Sequence, residues 1–195
     1  MLKVSTKLLI VSFLVSGCAS TTVDYEEPTA GDRAKVRFVA SGHHGGEALV
    51  VGFDNAECAN AKNRVSLYAK MHGSFIKSKK VGVPLWEYGD YAANAKEYYF
   101  EADKPSNFLI YKKHSGVGTS ISCGIFVDMT FAKNKNYEID FNTNTCLASV
   151  YEITEQNGEH SRVLKSNGNR HISSTPNACI TEYNNRIGTK IPLNN

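Results

Sequence analysis

Apolar and polar residues alternate along most of the chain from Arg33 onward. In AKVRFVASG, the apolar side chains of Val36, Phe38 and Ala40 fall on one face, and Arg37 falls on the other. NYEIDF repeats the pattern, with Tyr137, Ile139 and Phe141 on one face and Glu138 and Asp140 on the other. A period of two residues is typical of strands with one face buried and one face in solvent. These segments therefore predict half-buried strands whose charged residues face outward.

Turn signals recur at short spacing between the strand patterns. Pro105 lies in DKPS, AKNKN surrounds Asn134, and Asn157-Gly158 is typical of a hairpin turn. This spacing predicts a mainly β domain over residues 33–195, folded as an antiparallel β-sandwich or barrel. Residues 54–71 favour either a helix or a turn of helix that leads into a strand, and NACITEYNNR predicts a short helix near the C-terminus.

Composition and charge exclude some function classes. The chain has 195 residues, 42% of them hydrophobic, which is enough for a buried core in one domain. Its 22 Lys and Arg outnumber its 19 Asp and Glu, but Lys3 and Lys7 fall in residues 1–17, which have no acidic residue. Residues 18–195 carry 20 Lys and Arg and 19 Asp and Glu, which gives a net charge of +1. Without a concentrated basic face, we expect no nucleic-acid partner.

The first 17 residues have the features of an export signal. Residues 1–7 carry two lysines, and residues 8–15 are apolar except for Ser12. A membrane-spanning helix needs about 20 apolar residues, so this run is too short to span and matches a signal-peptide core.

The segment Val15-Ser16-Gly17-Cys18 resembles the lipobox of bacterial lipoproteins. The resemblance implies that residues 1–17 are removed and that Cys18 is acylated (palmitate included) and becomes the N-terminus. Ala19 stands where an inner-membrane retention signal has Asp, which implies an outer-membrane location facing either the periplasm or the outside. The alternative is an ordinary secretory signal in which Cys18 is incidental. Residues 18–32 are small, polar and acidic and predict a flexible tether.

Four other cysteines predict two disulfides in an exported protein. A hairpin centred near Asn134 would bring Cys123 close to Cys146, which leaves Cys58 to pair with Cys179. A zinc site is the competing interpretation, but no CxxC or Cys-x-x-His spacing supports it.

PTAGDRAKVRFV, followed much later by CGIFVDMTFAKNKNYEIDFNTNTC, resembles segments of small, uncharacterised lipoproteins of the bacterial cell envelope. The likeness covers residues 28 to about 153. It implies a sandwich-like domain in the envelope and transfers no catalytic residue.

Two stretches are candidates for chemistry or binding. SGHHGGEA places His43, His44 and Glu47 close together, which suggests a metal site or an enzyme, with a further ligand from His72, His114, His160 or His171. The alternative is an exposed turn around Gly45-Gly46. VPLWEYGDYAANAKEYYF predicts either a stacking surface for a sugar or protein partner or a set of core aromatics; its aromatic residues include Trp86, Tyr88, Tyr91, Tyr98 and Tyr99.

No G-x-S-x-G elbow is present, and the cysteines are assigned to bridges, so the sequence favours a non-enzyme without a cofactor. We therefore expect a lipid-anchored binding or structural module with a protein or glycan partner in the envelope. A metal-binding protein or enzyme at His43, His44 and Glu47, and an immunity or inhibitor-type lipoprotein, are the alternatives.

Overall fold

The computed structural model describes residues 25–42, 47–53, 58, 63–68, 79–86, 95–113, 122–167 and 177–187. This part of the chain contains nine strands and one helix. They are β1 (Arg33–Ser41), β2 (Glu47–Phe53), β3 (Asn63–Tyr68), β4 (Lys96–Glu101), β5 (Pro105–Lys113), β6 (Ser122–Thr130), β7 (Asn136–Asn142), β8 (Leu147–Gln156), β9 (Glu159–Asn167) and α1 (Asn177–Ile187). The predicted mainly β class is confirmed, and β3 favours the strand interpretation for part of residues 54–71.

The strands form two sheets, a five-stranded sheet in the order β4-β1-β7-β8-β9 and a four-stranded sheet in the order β3-β2-β5-β6. The neighbours are antiparallel except β1 and β7, which pair in parallel. The chain leaves the five-stranded sheet and returns to it repeatedly, and β7 re-enters beside β1 in the same direction. The predicted sandwich is therefore confirmed, with one parallel pair inside it.

The core between the sheets is rich in aromatic rings contributed by both of them. Phe38 of β1 and Phe100 of β4 come from the five-stranded sheet, and Phe108 comes from β5 of the other sheet. Their ring centroids lie 5.4–5.6 Å from Phe108, mostly edge to face. Burial of each such side chain contributes about 1.5–3 kcal/mol, so this contact holds the two sheets together.

The central strands of the four-stranded sheet, β2 and β5, are buried on both faces. Ala48 and Val50 of β2 face the core between the sheets, whereas Leu49 and Val51 belong to a second apolar cluster on the opposite face. That cluster includes Cys179 from α1. The unbroken apolar run of β2 follows from this position, because a strand covered on both sides needs no polar face.

The structure pairs Cys58 with Cys179 and Cys123 with Cys146, with Cα–Cα distances of 5.0 and 5.9 Å. This is the pairing that the sequence favours, but the predicted hairpin is wrong. A turn does occur, since the N–H of Lys135 donates to Ala132. However, β6 pairs with β5 in one sheet, and β7 pairs with β1 and β8 in the other.

The turn after β6 is therefore a corner between the sheets. Phe131 at its start is fully buried in the core between them. The Cys123–Cys146 bridge consequently joins a strand of one sheet to the end of a strand in the other.

Residues 25–32 lie against the five-stranded sheet. The ring of Tyr25 stacks on Phe100 with centroids 4.6 Å apart, and Glu27 Oε1 accepts a hydrogen bond of 2.9 Å from the N–H of Tyr99 on edge strand β4. Arg33 Nη1 donates to the carbonyl of Pro28 at 3.1 Å. The sequence predicts a flexible tether to residue 32, whereas Tyr25, Glu27 and Pro28 contact the domain and Glu27 covers part of edge strand β4.

Candidate functional site

Arg37 is buried on the outer face of the five-stranded sheet, the face opposite the core. The register places it beside Glu97 of β4 and Glu138 of β7. Its Nε donates to Glu97 at 3.0 Å, and its Nη1 donates to Glu138 at 3.2 Å. All three residues are at most 1% exposed. The expectation that Arg37 and Glu138 face solvent is therefore wrong, because another part of the chain covers them.

That cover is the segment 79–86, which we call the strap. Arg37 Nη2 donates hydrogen bonds to two carbonyl groups of the strap. Glu97 Oε2 accepts hydrogen bonds from three N–H groups of the strap. The acceptors are the carbonyls of Val83 and Pro84, and the donors are the N–H groups of Val81, Gly82 and Val83 at 2.8, 2.9 and 3.2 Å. The strap thus completes the hydrogen bonding of a buried ion pair, as such a pair requires.

The same contacts set the protonation state of Glu97. Burial opposes ionisation of its carboxyl, but hydrogen bonds from the backbone of Val81 and Val83 and from Arg37 outweigh the burial. The pKa of Glu97 is lowered from its ordinary value, so the carboxylate is ionised at neutral pH.

Arg162 of β9 extends the ion network across the sheet. Its Nη1 lies 3.0 Å from Glu138 Oε1. The guanidinium carbon lies 3.7 Å from the centre of the Trp86 ring and 4.3 Å from that of Tyr151, both within cation–π range. Trp86, the last described residue of the strap, is therefore fixed above β9 by a charged side chain.

Asp140 of β7 lies at the margin of this network, 3.7 Å from Arg162. Burial raises the pKa of its carboxyl and the nearby Glu138 charge adds to this, although a hydrogen bond with Ser41 and the charge of Arg162 act in the opposite direction. The net result is a raised pKa. Within the described part of the chain, Asp140 Oδ1 is buried without a hydrogen-bond partner.

Large apolar side chains are exposed on β8, on β9 and in the strap. Leu164 is 50% exposed and lies opposite Tyr151, and Leu147, 44% exposed, is on the same face of β8 as Tyr151. Leu85, beside Trp86 in the strap, is 57% exposed. We define the apolar patch as Leu85, Trp86, Leu147, Tyr151 and Leu164. It lies on the outer face, toward edge strand β9.

The structure locates some of the candidates from the sequence. Trp86 contributes to the patch, Tyr99 is on the outer face of β4, and Tyr98 is in the core, as the alternative interpretation of the aromatics requires. Cys18, His43, His44, Tyr88 and Tyr91 lie outside the described residues, and Glu47 is described only through its backbone in β2. Among the described residues, no group of three His, Cys, Asp or Glu side chains could hold a metal ion.

The buried network was missed by reasoning from the sequence. Arg37, Glu97 and Glu138 each occur at a polar position of a strand, where a charged residue normally indicates a face exposed to solvent. A signal was present in the charged residues inside strands β1 and β7, Arg37 and Glu138, whereas Glu97 is only the second residue of β4. The two Glu residues lie 60 and 101 residues from Arg37 in the chain. Only the sheet order brings them together.

No protein-family model matches the chain, and neither a curated protein nor a solved structure matches it. No helix in the described ranges is long and apolar enough to cross a membrane. In the described part of the chain, the carboxylates of Glu97 and Glu138 are bound to arginine side chains or to backbone N–H groups. The ion network therefore fixes the strap on the sheet, and the strap contributes Trp86 to the apolar patch.

Replacement of Arg37 by Met should destabilise the domain by about 3–5 kcal/mol, because Glu97 and Glu138 would lose the buried cation that they share, and only Arg162 would still contact Glu138 and Lys80 approach Glu97. Urea unfolding of the purified protein measures this loss. Lys104→Met is the control, since Lys104 forms an exposed ion pair with Glu101 and should cost at most about 1 kcal/mol. Equal losses in the two variants would contradict a structural role for the network.

Replacement of Asp140 by Asn should stabilise the protein at neutral pH, because it removes a negative charge whose ionisation is opposed by burial and by the nearby charge of Glu138. A raised pKa means that the folded state binds the proton more tightly than the unfolded chain. The contribution of Asp140 to stability therefore falls as the pH rises from the ordinary value of 3.8 through the raised value.

The gain from Asp140→Asn, measured as a shift in Tm, should consequently be larger at about pH 7 than at about pH 3. A gain that is the same at both pH values would show that Asp140 does not titrate differently in the folded state.

Proposed function

We propose that this protein is anchored in the outer membrane through lipid on Cys18 and that its β domain is a binding module for another envelope protein. The observation that carries the proposal is the apolar patch. Large apolar side chains exposed as a group are typical of interaction sites, and here the exposed leucines of β8 and β9 share a face with Tyr151, whose ring Arg162 contacts together with that of Trp86. Trp and Arg are the residue types most often found at energetically dominant positions of protein interfaces.

The geometry at Trp86 favours a protein over a glycan. A sugar binds by stacking on aromatic ring faces, and the Arg162 guanidinium, 3.7 Å from the ring centre, already occupies one of the two faces of Trp86 and so reduces the area for stacking. A protein partner requires only apolar contact area with a polar margin, which the leucines and Arg162 provide.

The edge of the sheet beside the patch adds a second means of binding. The opposite edge strand, β4, is covered by Glu27 and by Lys79, whose carbonyl accepts a hydrogen bond from the N–H of Glu97. In the described ranges, β9 pairs with β8 alone. A partner could therefore add an extended strand to β9 while it covers Leu164.

The proposed anchor constrains where the module can lie. Tyr25 is packed on the sheet, so only residues 18–24 remain between the lipid and the domain. Seven extended residues reach about 25 Å, which keeps the domain close to the membrane surface.

A photo-crosslinking amino acid at position 164 in living cells should give a discrete crosslinked product, whereas the same amino acid at the exposed position 104 should not. In an otherwise unmodified chain, Leu147→Ser combined with Leu164→Ser should reduce recovery of that partner by at least about tenfold, as expected for loss of two buried leucine contacts. Both substitutions are at exposed positions, so the Tm should change little. Undiminished recovery of the same partner would contradict the assignment of the patch.

Metabolic labelling with palmitate should modify the wild-type protein and leave a Cys18→Ala variant unlabelled. The variant should also lose its firm membrane association, because stable anchoring requires acyl chains. A Cys18→Ala protein that is still labelled and membrane-bound would disprove the proposed anchor.

A further inference from the structure

A second candidate site lies toward the opposite edge of the five-stranded sheet, near β4, where the N-terminal segment joins β1. It is an open pocket of about 420 Å³, within the size range of small-molecule sites. Its lining residues are Gly31, Asp32, Arg33, Lys35, Tyr99, Asn134, Lys135 and Asn136. The proposed protein-binding patch contributes none of these residues.

The backbone fixes the cations of this pocket relative to one another. The N–H of Lys35 donates to the carbonyl of Lys135 at 3.0 Å, and the N–H of Asn134 donates to the carbonyl of Arg33 at 3.0 Å. These bonds join the start of β1 to the turn before β7. Arg33 and Lys35 therefore extend from one rigid frame, whereas the side chain of Lys135 is bound to Glu152, which pairs with the core residue Tyr137 and lies on the opposite face of the sheet from Lys35.

Existing contacts orient the cations and leave donors for a ligand. Arg33 Nη1 donates to Pro28, and the guanidinium lies 4.4 Å from the centre of the Tyr99 ring. Lys35 Nζ donates to the carbonyl of Gly82 at 3.2 Å, and an ammonium group has three donors. The remaining donors of both side chains are available at the pocket.

The charges of the pocket are predominantly positive. Three cations line it together with one carboxylate, that of Asp32, which Lys133 binds at 2.8 Å. Lys135 is bound to Glu152 at 3.2 Å. With both of these partners counted, the pocket has a net charge of +2, and the amides of Asn134 and Asn136 supply neutral donors.

We propose that this pocket binds a phosphate group. A phosphate monoester carries nearly two negative charges at neutral pH and the phosphodiester of a phospholipid headgroup carries one, so either is attracted by the excess positive charge, and the oxygens of both accept hydrogen bonds from Arg, Lys and amide donors together. The group belongs either to the headgroup of an anionic phospholipid or to a soluble phosphorylated compound. The first source rests on the proposed anchor, which holds this side of the sheet near the membrane; phosphate binding itself does not depend on it.

The test uses residues 18–195 with Cys18→Ser, so that no lipid is attached. Glycerol 3-phosphate is titrated by NMR, and co-sedimentation is measured with phosphatidylcholine vesicles that do or do not contain phosphatidylglycerol. Binding to phosphatidylglycerol vesicles that glycerol 3-phosphate displaces would assign the lipid source. Binding of glycerol 3-phosphate alone would assign a soluble ligand.

Lys35→Gln and Arg33→Gln should each weaken the observed binding by at least about tenfold, as expected for loss of a charge-assisted hydrogen bond. Lys104→Gln removes the same charge at an exposed ion pair outside the pocket and should leave the affinity unchanged. Thermal melts of all three variants establish that they are folded. Absence of binding to either probe, or equal weakening by Lys104→Gln, would overturn the proposal. Failure of palmitate labelling at Cys18 would leave this result unaffected.

Discussion

The buried guanidinium of Arg37 is the constraint on which the five-stranded sheet depends. A charged side chain that leaves water must find both counter-charges and hydrogen-bond acceptors, or the folded state is strongly destabilised. Strands β4 and β7 supply the carboxylates of Glu97 and Glu138, and the strap supplies carbonyl groups. One cation therefore specifies the strand order around β1 and the path of a segment that has almost no regular structure of its own.

The outer faces of the two sheets are covered in different ways. The outer face of the four-stranded sheet is apolar and belongs to a cluster that includes the Cys58–Cys179 bridge to α1. The outer face of the five-stranded sheet is charged and is covered by the polar backbone of the strap. The strap covers the part of that face around β1, whereas leucines remain exposed on β8 and β9. The candidate interaction surface follows from this unequal cover.

The order of the strands also separates the proposed roles of the domain. The N-terminal segment packs on β4 at one edge, and the phosphate pocket lies beside it between β4, β1 and β7. The apolar patch lies toward β9 at the opposite edge. The proposed lipid attachment near β4 would therefore leave the patch and the adjacent strand edge accessible to the proposed partner.

The sequence by itself determined the local elements of this protein. Alternation predicted the strands, and Asn157-Gly158 forms a hairpin turn in which both residues have positive φ, as these residue types tolerate. The disulfide pairing was predicted as well, but from a hairpin that proved to be a corner between sheets. Only the tertiary structure decided that Arg37 is buried and that Trp86 lies over β9. Periodicity reports which residues share a face of a strand, whereas burial of that face depends on segments far away in the chain that pack across it.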